Sequence, residues 1–167
     1  MNNVVLAICL ALIQESVIAL RFNFRRVGKS DGDFAAGIGE QEDIKAAISF
    51  TLSSEKANPK GIGLAGYSFG ANAALSVAPY DERIQAMAAI SPPISTSGLS
   101  QLEGYLKPKL FLCGDRDCFV SAPELTRSVQ ALPEPKRCRI IPGADHFWWG
   151  YEEQIADEVA AFFVDSL

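Results

Sequence analysis

The sequence predicts an α/β fold with three layers (αβα), in which helices cover both faces of a mainly parallel sheet. Two observations support this fold class. Short apolar runs alternate with helix-like segments along the whole chain. The 167 residues are 49% hydrophobic, which suffices for one sizeable core, and no linker or internal repeat divides them. We therefore predict a single domain over residues 1–167.

The first segment, residues 3–15, is apolar at most positions and predicts a largely buried helix. Its apolar run, Val4 to Ile13, is as long as the core of a signal peptide. However, no positive side chain precedes the run. It is also too short to span a bilayer before Gln14-Glu15. We therefore interpret the segment as part of the folded core and predict no membrane association.

The next elements follow from apolar runs, which predict strands, and from apolar residues spaced three and four apart, which predict helices. The predicted elements are a strand at 17–24, a Gly- and Asp-rich loop at 25–39, a helix at 40–53 with a break at Asn58-Pro59, a strand at 62–66 and a helix to Ala78.

The second half continues the alternation of strands and helices. The predicted elements are a strand at 84–90, a strand at 110–113, a helix at 121–132 opened by a capping box, a strand ending at 139–141, a loop at 143–149 and a helix at 152–164. The longest irregular stretch, 91–107, is too short for a cap domain, which predicts an open site.

Composition excludes several classes of function. The net charge is −5 and no basic cluster exceeds Arg25-Arg26, which argues against nucleic acid as a partner. A single histidine and four cysteines without C-x-x-C spacing predict no metal site and a reduced, cytoplasmic protein. Residues 61–66 read G-x-G-x-x-G, but these glycines fall inside a predicted strand, so we predict no nucleotide and no other cofactor.

The segment Gly66-Tyr67-Ser68-Phe69-Gly70 is the most informative motif of the chain. It reads G-x-S-x-G at the junction of the 62–66 strand and the following helix. A serine on such a turn projects its hydroxyl beyond the sheet, above the N-terminus of a helix. The flanking glycines are expected to permit a positive φ and a close approach of helix and strand.

Residues suited to activate this serine follow two later strands. Asp115 and Asp117 come after the 110–113 strand, and His146 comes after the 139–141 strand. The carboxyl ends of parallel strands meet at one edge of a sheet, where active sites of α/β proteins lie. A serine needs an adjacent base, and that base needs an orienting acid. The chain order is serine, aspartate, histidine, with both aspartates open as the acid.

Five segments together resemble the small, cap-less bacterial serine hydrolases of the α/β-hydrolase fold that are related to dienelactone hydrolases. The resemblance implies Ser68 as nucleophile, Asp117 as triad acid and His146 as base. It prefers Asp117 to Asp115 because the family's acid stands three residues after a glycine. The matching segments are Arg21 to Ser30, Gly37 to Glu40, Gly66 to Ala71, Gly114 to Asp117 and Gly143 to Phe147.

This resemblance implies a hydrolase that cleaves small carboxylic esters through an acyl-enzyme. The backbone N–H of Phe69 is then expected to donate to the oxyanion. We predict that three further residues line the substrate pocket: Tyr67 beside the serine, Trp148 as a wall for the acyl group, and Pro92 on the alcohol side.

The chain departs from the family pattern in two places. It lacks the N-terminal strands that precede its first helix in the full layout, and with them the loop that supplies a second oxyanion N–H. The 17–24 strand must then pair with the 62–66 strand or leave an open sheet edge, which favours a homodimer. Arg26 stands where the family has glycine, and Arg is disfavoured if φ is positive there. The alternative interpretation is therefore a truncated, non-catalytic protein of this fold with an incomplete oxyanion hole.

Overall fold

The computed structural model describes residues 2–54, 61–93 and 99–167. Its sheet has four parallel strands in the order β1-β2-β3-β4, with helices on both faces, so the predicted three-layer α/β fold is confirmed. The strands are β1 (Ile62–Tyr67), β2 (Ile84–Ile90), β3 (Lys109–Gly114) and β4 (Lys136–Ile141). The helices are α1 (Asn3–Gln14), α2 (Ile38–Ser53), α3 (Phe69–Val77), α4 (Ala122–Gln130) and α5 (Glu152–Ser166).

Two hydrophobic cores lie on opposite faces of the sheet. Helices α2, α3 and α4 pack on the face that carries Met87 and Phe111. Helices α1 and α5 pack on the face that carries Ala88 and Leu112. The central strands β2 and β3 are buried at nearly every residue, as expected for parallel strands covered on both sides.

Helix α1 is present as predicted, but it is less buried than its sequence suggested. Its buried residues are Val4, Ile8, Ala11 and Leu12, and this face packs against α5. Leu10 and Ile13 are more than half exposed. In the described residues, no helix is both long enough and apolar enough to cross a membrane.

The predicted strand at 17–24 is wrong. These residues form no strand, and among the described residues β1 pairs with β2 alone. Val17 and Ala19 pack inward on the α1–α5 core, whereas Ile18 and Leu20 are exposed. The alternating pattern suits a strand, but a strand forms only where a neighbour accepts its backbone hydrogen bonds. The predicted break at Asn58-Pro59 lies outside the described residues.

The loop before α2 is held by a buried carboxylate. Glu40 accepts hydrogen bonds from the N–H groups of Ala35 (3.0 Å) and Gly37 (2.8 Å). These bonds, led by the one from Ala35, lower the pKa of Glu40.

Arg26, in the same loop, has a φ of 61°. The arginine that stands where the family has glycine therefore does lie at a left-handed position.

Candidate active site

Ser68 is the single residue between β1, which ends at Tyr67, and α3, which begins at Phe69. Its φ and ψ are 52° and −117°, which is unusual for a residue with a side chain. Its N–H donates to the Ile90 carbonyl across the sheet (2.9 Å). The positive φ therefore falls on the serine itself, and not on the flanking glycines as expected.

Gly66 permits the close approach of helix and strand that the sequence predicted. A Cβ at this position would collide with the backbone carbonyl of Gly70 in the first turn of α3. The absent side chain lets the strand and the helix approach closely, which is how the chain turns sharply enough to expose the Ser68 hydroxyl.

Three side chains from three strand ends form one hydrogen-bonded chain. Ser68 Oγ lies 3.0 Å from His146 Nε2. His146 Nδ1 lies 2.9 Å and 3.0 Å from the two carboxylate oxygens of Asp117. An ionised carboxylate only accepts, so the proton on Nδ1 points to Asp117 and Nε2 is left to accept from the serine hydroxyl. In this tautomer the imidazole can take up the serine proton.

The structure distinguishes the two aspartates. The Asp117 side chain is fully buried, and its Oδ1 also accepts from the N–H groups of Phe119 (2.9 Å) and Val120 (3.0 Å). Asp115 is exposed and accepts from the Gly143 N–H instead (2.7 Å). Asp117 therefore contacts the imidazole, while Asp115 links the loop after β3 to the loop after β4.

The loop that carries His146 is fixed by Asp145 and Trp148. Asp145 Oδ1 accepts from the N–H groups of Phe147 (2.9 Å) and Trp148 (3.1 Å). The Trp148 ring is fully buried, and its indole N–H donates to Ser91 Oγ (3.1 Å). The prediction that Trp148 lines the substrate pocket is therefore wrong, because its ring is enclosed in the core on the α1–α5 face of the sheet.

Pro92 is also buried, directly after β2, so its predicted contact with substrate is not supported either.

Tyr67 does lie at the site. Its hydroxyl donates to the His146 carbonyl (2.7 Å), and its ring centroid is 5.6 Å from the imidazole. Burial, and then the charges of Asp117 and Asp145, raise the pKa of Tyr67, so it stays a neutral hydrogen-bond donor.

The N–H of Phe69 is the first of α3. Within the described residues it donates to no protein group, whereas Ala71 and Asn72 donate to the Ser68 carbonyl. The N-terminus of a helix attracts negative charge. The N–H of Phe69 is therefore available to an oxygen that develops charge beside Ser68.

Exposed aromatic side chains flank the site on both sides, and the sequence analysis had not singled them out. The Phe119 and His146 rings pack in an edge-to-face arrangement with their centroids 4.7 Å apart. The Phe147 ring centroid lies 5.8 Å from that of His146. On the other side, Phe34 lies 5.9 Å from Phe69. A signal was present for two of them, since Phe119 follows Asp117 by two residues and Phe147 follows His146 directly.

Comparison with known proteins agrees with this geometry. Residues 36–162 match the model of the Dienelactone hydrolase family. The chain belongs to that family. It is 32% identical to the uncharacterized protein RP471 of Rickettsia prowazekii over 171 residues, which cover 98% of this chain and 71% of that protein.

Two solved structures extend this result. An alpha-beta serine hydrolase homologue from Coxiella burnetii superposes with a TM-score of 0.84 at 31% identity, over 96% of this chain and 76% of that one. XC6422 from Xanthomonas campestris, an α/β serine hydrolase without a lid, superposes with a TM-score of 0.86 at 27% identity, over 98% of this chain and 73% of that one. The predicted resemblance is confirmed, and the chain is a hydrolase of the α/β-hydrolase fold.

Proposed function

We propose that this chain is a serine esterase that cleaves small carboxylic esters through an acyl-enzyme on Ser68. The observation that carries the proposal is the chain of hydrogen bonds from Ser68 Oγ through His146 to Asp117. A serine hydroxyl is a weak nucleophile, and this arrangement is the one that activates it. The free thiols support a cytoplasmic location as part of the proposal.

Acylation begins with the attack of Ser68 Oγ on the ester carbonyl carbon. The hydroxyl proton moves to His146 Nε2, and Asp117 stabilises the imidazolium that forms. The carbonyl oxygen becomes an oxyanion. When the tetrahedral intermediate collapses, the bond to the alcohol oxygen breaks, and His146 returns its proton to the departing alcohol.

Deacylation repeats these steps with water. His146 Nε2 takes a proton from water, and the oxygen of that water attacks the acyl carbon on Ser68. Collapse of the second tetrahedral intermediate releases the carboxylic acid, and Ser68 regains its proton from His146. We assign the Phe69 N–H as the donor to the oxyanion in both acylation and deacylation. One such donor typically raises kcat about 10²–10³-fold.

The alternative is a non-catalytic protein of the same fold, and one observation favours it. Among the described residues, β1 has no neighbour on its outer side, and we assign one oxyanion donor where the family resemblance implies two. Such a protein keeps the hydrogen-bonded chain but turns over no ester.

The test measures hydrolysis of 4-nitrophenyl acetate together with labelling by a fluorophosphonate probe. We expect Ser68→Ala to abolish both, and His146→Ala to lower kcat by about 10⁴–10⁶, since removing the nucleophile or its base costs this much in serine hydrolases. The matched control is Ser76→Ala on α3, whose hydroxyl bonds to the Asn72 carbonyl, outside the hydrogen-bonded chain at Ser68.

Each result separates the two interpretations. Loss of activity in Ser68→Ala with retention in Ser76→Ala supports the esterase. A wild-type chain that neither hydrolyses the ester nor reacts with the probe supports the non-catalytic alternative. Activity that survives Ser68→Ala would show that another residue is the nucleophile.

A further inference from the structure

Two exposed phenylalanines stand beside the buried imidazole of His146. Phe119 is 64% exposed and Phe147 is 50% exposed, although both side chains are large and apolar. Their rings also lie edge to face with each other, with the centroids 6.4 Å apart and the planes at 89°. Exposed apolar surface of this kind beside a reactive group is typical of a ligand-binding site. The two rings therefore offer free apolar surface next to the group that transfers the proton.

The backbone under each ring is fixed by an aspartate. The Phe119 N–H donates to Asp117 Oδ1 (2.9 Å), and the Phe147 N–H donates to Asp145 Oδ1 (2.9 Å). Asp117 is also the carboxylate that contacts the imidazole of His146. The segments that carry the rings are thus tied to the groups that position the imidazole. A site preorganised in this way loses less conformational freedom when a ligand binds.

The proposed mechanism determines which part of an ester comes close to these rings. The acyl carbon bonds to Ser68 Oγ, and the carbonyl oxygen lies at the Phe69 N–H. The alcohol oxygen takes its proton from His146 Nε2, so it must come within hydrogen-bond distance of that atom. The alcohol is therefore the part that departs on the His146 side, where Phe119 and Phe147 lie.

We propose that Phe119 and Phe147 bind an aromatic ring on the alcohol part of the ester, so that esters of arylmethyl alcohols are preferred substrates. This inference rests on the esterase function proposed above. An aromatic ring can pack edge to face on either phenylalanine, as these two already do with the imidazole. It also buries the apolar surface that both leave exposed. Ring pairs of this geometry contribute more to binding than the burial of their area alone.

A pair of isomeric esters tests which side of the substrate carries the ring. Benzyl acetate has the ring on its alcohol part, whereas methyl phenylacetate has the same atoms with the ring on its acyl part. The quantity measured is the ratio of kcat/KM for benzyl acetate to that for methyl phenylacetate. Leucine keeps an apolar side chain but removes the ring, so we expect Phe119→Leu and Phe147→Leu each to lower this ratio at least threefold.

Phe50→Leu is the matched control. Phe50 is 65% exposed, as Phe119 is, but it lies on α2. In the part of the chain that the structure describes, it forms no ring pair with the aromatic residues of the site. We expect this change to leave the ratio as it is in the wild type.

A binding measurement needs no turnover. His146 is the only histidine of the chain, so the two imidazole C–H signals in proton NMR of the untagged protein belong to it. A ring bound beside the imidazole shifts these signals through its ring current. We expect benzyl alcohol to shift them saturably and Phe119→Leu to raise its dissociation constant at least threefold, while Phe50→Leu leaves the constant unchanged.

Two outcomes would overturn the inference. The first is a loss of kcat/KM in Phe119→Leu and Phe147→Leu that is equal for the two esters, or no loss, because the rings then cover the imidazole without binding substrate. The second is a titration in which benzyl alcohol produces no saturable shift, or one that Phe119→Leu does not weaken.

Failure of the esterase function looks different. A wild-type chain that hydrolyses neither ester, but whose His146 signals respond to benzyl alcohol in a way that depends on Phe119, keeps the ring site and loses the esterase. Hydrolysis of both esters with no dependence of their ratio on Phe119 or Phe147 keeps the esterase and removes the ring site.

Discussion

The two sides of the Ser68–His146 pair are built differently. On the His146 side, each polar side chain that positions the imidazole has partners of its own: Asp117 accepts from two backbone N–H groups, and the Trp148 indole donates to Ser91. On the Ser68 side, among the residues that the structure describes, β1 pairs with β2 on one side and borders a mainly apolar cleft of about 770 Å³ on the other. The difference teaches that the proton-transfer geometry is preorganised, whereas the strand that precedes the nucleophile is paired on one side only among the described residues.

The largest effect is expected for Asp117→Asn. The amide can present its NH₂ group to Nδ1 and favour the wrong imidazole tautomer, so we expect kcat to fall about 10⁴-fold with little change in stability. Asp115→Asn is the matched control. Its carboxylate bonds to the Gly143 N–H, and an amide oxygen can replace it, so we expect less than a tenfold change. Equal losses in the two variants would mean that the His146 side is not organised around Asp117.

A smaller effect is expected for Trp148→Phe. The change leaves Ser91 Oγ, which is buried, without its indole partner and opens space in the core. We expect it to lower the free energy of unfolding by about 1–3 kcal/mol in urea denaturation. Trp149→Phe is the control, since Trp149 is 70% exposed, and it should change stability by less than about 0.5 kcal/mol. The reverse order would place the anchor of the loop at Trp149.

The smallest effect is expected for Glu40→Gln, on the Ser68 side, where the change in stability depends on pH. The N–H groups of Ala35 and Gly37 hold the pKa of Glu40 below 4.5 in the folded chain. A depressed pKa gives stability that is present above pH 4.5 and is lost as the pH falls through the folded value. We therefore expect Glu40→Gln to lower the urea midpoint at pH 7 and to differ less from the wild type at pH 4.

The control for this prediction is Glu42→Gln on the same helix. Glu42 is exposed and pairs with Lys45, so its loss should have little effect at either pH. A pH-independent difference between Glu40→Gln and the wild type would assign the effect to packing rather than to the charge of the carboxylate.

The sequence was enough to predict the alternation of strands and helices. It was also enough to predict that a serine, an aspartate and a histidine meet at one edge of the sheet. Ser68, Asp117 and His146 follow separate apolar runs, and parallel strands bring such ends together. The state of residues 17–24 could not be predicted, because the alternation of apolar residues shows what a strand would bury and not whether a partner exists. Nor could the sequence separate Trp148 from Trp149, since they are identical neighbours in one loop and only the folded conformation of that loop shows that Trp148 is buried and Trp149 exposed.

The glycines of β1 also restrict which mutations this protein can accept. A Cβ at Gly63 would meet the Phe163 ring of α5, and one at Gly66 would meet the backbone of α3. Any larger residue at Gly66 would therefore displace the first turn of α3, whereas one at Gly63 would have to displace the Phe163 ring.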